Sequence, residues 1–70
     1  MENSKYWVIE EYNSWTSYYY MGYYKDGLPC FNMALADAIH FASFKNAQQI
    51  HKVLNEVIPC RIIEFKFLTD

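Results

Sequence analysis

One change of texture along the chain constrains the fold more than any other feature. Residues 6–31 are dominated by aromatic and β-branched side chains, residues 34–55 by Ala, Lys, Gln and Asn with spaced Leu and Ile, and residues 60–68 return to the first type. Aromatic and β-branched residues pack well on a pleated surface, whereas Ala and unbranched residues lose little freedom in a helix. A helical stretch between strand-like stretches, all within 70 residues, leaves room for one layer of sheet and one of helix. The chain therefore reads as a single small α+β domain spanning 1–70.

Residues 6–12 read as a first strand, with Trp7 and Ile9 on one face and Tyr6 and Val8 on the other. Asn13 and Ser14 suit a turn. Residues 15–24 form a second, tyrosine-rich strand in which Gly22 marks a bulge. Lys25-Asp26-Gly27 is the strongest turn signal, because Asp-Gly readily supplies positive φ. Residues 28–31 make a short third strand that Pro29, lacking an N–H, holds at a sheet edge.

Asn32 is a candidate helix N-cap for residues 34–41, where Leu35, Ala38, Ile39 and Ala42 form a helical stripe. Ser43 is a second candidate cap, so the helix is expected to break there and resume over 44–55 with Ala47, Ile50 and Leu54 inside. Pro59 ends that segment. In 60–68 the alternation puts Ile63, Phe65 and Phe67 on one face and Ile62, Glu64 and Lys66 on the other. The expected order is β-β-(β)-α-α-β: a small antiparallel sheet of three to four strands packed on one face by one broken helix. The expected core is Trp7, Ile9, Ile39, Ile50, Leu54, Ile63, Phe65 and Phe67.

A domain of this size buries only about 60% of its unfolded surface, which favours stabilisation by a bridge, a metal or a second chain. Two cysteines, Cys30 and Cys60, are too few for the bridge framework of a secreted mini-protein, and residues 1–5 are polar with no apolar run after them. A reducing, cytoplasmic setting with two free thiols is the expectation. Six basic against eight acidic residues give a net charge of −2, which supplies no field for nucleic acid.

Candidate chemistry is sparse. Cys30, His40, His51 and Cys60 are ten, eleven and nine residues apart, unlike the close pairs of a zinc site. Either thiol could meet a histidine in space, but a catalytic thiolate also needs a cleft and an oxyanion hole. Glu10 and Glu11 are adjacent, so on a strand they point to opposite faces. No glycine-rich phosphate loop is present, since Gly22 and Gly27 stand apart. No enzyme, metal or cofactor is expected.

The tyrosine cluster carries the functional signal. Tyr18, Tyr19, Tyr20, Tyr23 and Tyr24 exceed what so small a core can hold, and tyrosine brings large, fairly rigid contact area with a polar tip. Trp15, Tyr18, Tyr20 and Tyr24 are the candidate partner-binding anchors, with Glu10 and Asp26 as rim charges. The competing structural reading is that these rings shield a thin sheet. Stacking on nucleobases is disfavoured because no basic residue lies between Trp15 and Tyr24.

Ala38, Phe41, Ser43 and Ala47, in the spacing A-x-x-F-x-S-x-x-x-A after an aromatic strand pair, give the chain a resemblance to a loose group of small phage and prophage accessory proteins. The resemblance implies a virus-encoded, non-enzymatic protein that binds and blocks or redirects a host protein, host defence factors included, and it carries no catalytic residue over. The alternative expectation is a self-associating homodimer that closes its aromatic surface on a second copy.

Overall fold

A computed structural model describes residues 2–11, 15–23 and 27–69, with the backbone alone at 2, 3, 23 and 67–69. Strands β1 (Glu2–Glu11), β2 (Tyr19–Tyr23) and β3 (Pro29–Asn32) precede a single 3-10 turn (Leu35–Asp37) and helix α1 (Phe44–Leu54), and β4 (Cys60–Thr69) closes the chain. The four strands form one antiparallel sheet in the order β3-β2-β1-β4, so the chain is an α+β domain, as its sequence texture predicts. After the β1-β2-β3 meander, the helix carries the chain back across the sheet to the free side of β1.

Helix α1 starts where the sequence signals it. Ser43 is extended, and its Oγ accepts a hydrogen bond from the Asn46 N–H at 3.4 Å. Its inner face buries Ala47 and Leu54. The core beneath it holds Ile9, Tyr20, Leu54 and Cys60, with Phe31, Ile39, Phe41, Ile50 and Ile62 packed against them. Strand partners Ile9–Ile62, Trp7–Glu64 and Glu11–Cys60 therefore share the helix side of the sheet. The opposite side carries Val8–Ile63, Tyr6–Phe65 and Glu10–Arg61.

This register corrects one expectation. Ile63 and Phe65 lie opposite Val8 and Tyr6, on the face away from α1, while Cys60 and Ile62 point to the helix. The side chain of Phe67, grouped with them by the alternation, lies outside the described residues. Alternation tells which residues share a face; which face meets the helix is set by pairing with β1, a non-local event.

The expected first half of the helix is also corrected. Residues 35–37 form one 3-10 turn, and the chain then extends. Asn32 does bind a backbone N–H, but that of Ala34 at 3.1 Å, which makes a turn at the end of β3 instead of a helix cap. The extended piece is an inserted fragment of the sheet. β1 and β2 pair at Glu10–Tyr19, with the Glu11 N–H donating to Tyr18 O at 2.8 Å, and then diverge. Residues 39–41 fill the fork. The Ile39 N–H donates to Tyr20 O at 3.0 Å, and Trp7 and Phe41 exchange hydrogen bonds of 2.9 and 2.8 Å. Helix propensity among ordinary residues is worth up to about 0.7 kcal/mol each. Partial burial of Ile39 and Phe41 contributes part of the about 1.5–3 kcal/mol that full burial of such a side chain gives, and the fragment also satisfies β1 backbone groups that would otherwise be stranded.

The β2–β3 ladder shifts register between Tyr20 and Gly22, and Gly22 takes φ +122°, which is the bulge its sequence position predicts. β3 is an edge strand, as Pro29 requires.

Candidate functional site

The structure separates the residues that the tyrosine reading grouped together. Trp15 is fully exposed, at 106% of its reference area. Tyr18 is half-buried beside the β1–β2 join. Tyr20 is 3% exposed and packs edgewise on Phe31, with ring centroids 5.8 Å apart at 59°. The expectation of Tyr20 as a surface anchor is thus corrected: it belongs to the buried cluster with Ile9 and Leu54 beneath α1. Tyr24 and Asp26 lie outside the described residues.

Glu10 is likewise corrected from a rim charge to a buried partner of Arg61. It is 8% exposed, and one carboxylate oxygen accepts from Arg61 Nε at 2.8 Å and Nη2 at 2.6 Å. The two residues are direct partners across β1 and β4. Burial of the carboxylate is compensated by charge-assisted hydrogen bonds.

The aromatic surface of the molecule is instead the face away from the helix. His40, Tyr6 and Phe65 stack across three neighbouring chain segments. Tyr6 is central: its ring lies 4.3 Å from His40 at 23° and 5.4 Å from Phe65 at 13°. Each position follows from the backbone. Tyr6 and Phe65 are directly paired between β1 and β4, and His40 sits on the inserted fragment, one residue before the Trp7–Phe41 bridge. His40 Nε2 donates to Leu35 O at 3.1 Å, which holds the imidazole flat against Tyr6. His40 is exposed and the other two rings are half-buried, while Val8 on the same sheet face is fully buried. No sequence periodicity marks this trio, because its members are 25 and 34 residues apart and His40 reads as helical; only the cross-strand register assembles it.

The charges on this face are few. Among its described strand residues the one Lys or Arg is Arg61, and Arg61 is held by Glu10. Lys5 and Lys66 are paired on the helix side. Cys30 and Cys60 are both free and stand on opposite edge strands and opposite faces of the sheet. Three strand spacings of about 4.8 Å separate β3 from β4, well beyond the roughly 7 Å that a disulfide spans. Cys30 Sγ lies 3.9 Å from Met21 Sδ. Burial pushes the Cys60 thiol above its ordinary pKa, which lowers its reactivity.

Among the described residues there is no cavity, no cluster of three potential metal ligands, and no helix long and apolar enough to cross a membrane. The geometry is that of a small α+β domain whose second sheet face is aromatic. Compared with protein-family models, curated proteins and solved structures, the chain matches none.

Proposed function

We propose that the protein is a non-enzymatic binding module that docks the aromatic second face of its sheet onto another protein. The observation that carries this reading is the His40–Tyr6–Phe65 stack on the face without α1. Such a surface offers preformed rings, two of them clamped between strands, so little side-chain freedom is lost on contact. Tyrosine with a neighbouring aromatic ring is a composition enriched at the centres of protein interfaces.

The partner that fits is a protein surface with an apolar or aromatic prominence and little charge. A nucleic acid fits poorly, since phosphate contact needs free cations and Arg61 is held by Glu10. In the setting that the phage-type resemblance implies, the partner is a host protein whose working surface is covered on binding. Occlusion needs no catalytic group in the binder.

The test is affinity capture from host lysate with wild type and a Tyr6→Ala/Phe65→Ala variant, followed by hydrogen-exchange footprinting of the purified complex. Stoichiometric capture that the variant loses, with protection over residues 6–8 and 63–65, supports the reading. Undiminished capture by a folded variant, or protection confined to α1, overturns it.

A further inference from the structure

The sheet has two edges, and they differ. β3 is four residues long and begins at Pro29. β4 is ten residues long and has β1 on one side alone. Backbone alternation decides which of its groups are turned outward. Trp7 exchanges both hydrogen bonds with Phe41, and the Glu11 N–H reaches Tyr18, so odd-numbered residues of β1 address the fork. Even-numbered residues of β1 therefore address β4, where they meet Arg61, Ile63 and Phe65. It follows that Cys60, Ile62, Glu64, Lys66 and Leu68 turn their N–H and C=O groups away from the sheet.

The first of these outward positions is closed by the protein itself. The Cys60 N–H donates to Asn55 Oδ1 at 3.2 Å, and its C=O accepts from His51 Nε2 at 2.7 Å. Both caps come from the end of α1. Beyond Cys60 the described residues supply no such cap to Ile62, Glu64 or Lys66. A long open edge of this kind is a template for pairing with another strand.

We propose that the edge pairs with β4 of a second copy of this chain, antiparallel, with Glu64 opposite Lys66 of the second copy and the two-fold axis at Phe65. The charges select this register. Outward residues must meet outward residues, so the pairing can step only by two positions. Centring on residue 64 would oppose two glutamates, and centring on 66 would oppose two lysines; both are unfavourable across a strand pair. Centring on 65 opposes Glu64 to Lys66 twice, once on each side of the axis, as an isologous contact demands.

The monomer shows why this matters. Lys5 and Lys66 lie directly opposite each other on the helix side, and the acid beside them is Glu64, 3.7 Å from Lys5. A second Glu64 would stand where Lys66 needs one. Positions 62 to 68 then provide four outward rungs on each strand, or about eight interchain hydrogen bonds at two per bonded pair. Phe65 would meet its own copy as a close, non-bonded pair on the aromatic face, joining the two ring stacks into one array. The pairing is made by backbone groups of the β4 edge and does not depend on a partner docking on the aromatic face.

The test is mass in solution by sedimentation equilibrium up to about 100 μM, where mass action favours association. Wild type, Glu64→Lys, Lys66→Glu and the charge-swapped double variant are compared, with far-ultraviolet circular dichroism as the check on fold. The expected result is a dimer for wild type, at least a tenfold weaker dimer for each single variant, and recovery in the double. A monomeric wild type, or a double variant no tighter than the singles, overturns the proposal. Should the single variants fail to fold, Phe65→Cys and Ile63→Cys decide. Mild oxidation is expected to bridge Cys at 65 to its own copy, because residues on the axis approach to about 4.5 Å between Cα atoms, and to leave Cys at 63 unbridged. Bridging equal at both positions, or at neither, refutes the register.

Discussion

Arg61 grips a single oxygen of Glu10 with two nitrogens, Nε at 2.8 Å and Nη2 at 2.6 Å, across the β1–β4 pair. The carboxylate is nearly enclosed, while the guanidinium side chain is 54% exposed. The pair therefore matters chiefly for what its loss leaves behind. Arg61→Met strands a buried carboxylate and should cost about 1–2 kcal/mol, the lower part of the usual range because water can still reach the site. Adding Glu10→Met should return part of that loss, since no uncompensated charge remains. Urea midpoints of wild type and the two variants measure this; a double variant no more stable than Arg61→Met contradicts the account.

Tyr20 and Trp15, grouped by the sequence as anchors, should respond in opposite ways. Tyr20→Ala removes a ring from the core and is expected to cost about 3–5 kcal/mol, a large part of the about 5–15 kcal/mol that holds a small domain. Trp15→Ala removes a fully exposed ring and should change stability by less than about 0.5 kcal/mol. Thermal melts separate the two. Equal stability of both variants would remove Tyr20 from the core.

Gly22 is needed for its backbone. At φ +122° a Cβ is strained wherever it points, although the nearest atom, Ile39 Cδ1, would be an ordinary contact at 3.7 Å. Gly22→Ala should cost about 1–3 kcal/mol through backbone strain. Gly27, at φ +84° with nothing within 4 Å, should show a similar backbone penalty without any packing change. A neutral Gly22→Ala melt would show that the bulge relaxes freely.

Cys60 is buried beneath α1, and that burial raises its thiol pKa. Iodoacetamide should label Cys30 well before Cys60 in the native protein, as peptide mass mapping will show. The linkage has a definite sign. Because the folded pKa lies above the unfolded one, the stability tied to the protonated thiol is intact below the unfolded value of about 8.5 and is lost as pH rises through the folded value. The stability difference between wild type and Cys60→Ala should therefore shrink above that pH. A difference that stays constant into alkaline solution argues against a buried thiol.

Local sequence determined the kinds of element and several of their boundaries. The Ser43 cap and the Ala47–Ile50–Leu54 stripe predict α1 to within a residue, because capping and helical periodicity are properties of neighbours in the chain. Gly22 and Pro29 predict a bulge and an edge for the same reason. The tertiary structure decided what those rules leave open. Alternation groups Ile63 with Phe65 and Tyr18 with Tyr20, yet pairing with β1 turned the first pair away from the helix and sent Tyr20 into the core. Residues 39–41 have the composition of a helix, and the fork between β1 and β2 drew them into the sheet. Contacts between residues 30 or more positions apart outweigh a few tenths of a kcal/mol of local preference, so the faces, the fork and the His40–Tyr6–Phe65 stack exist only once the chain has closed on itself.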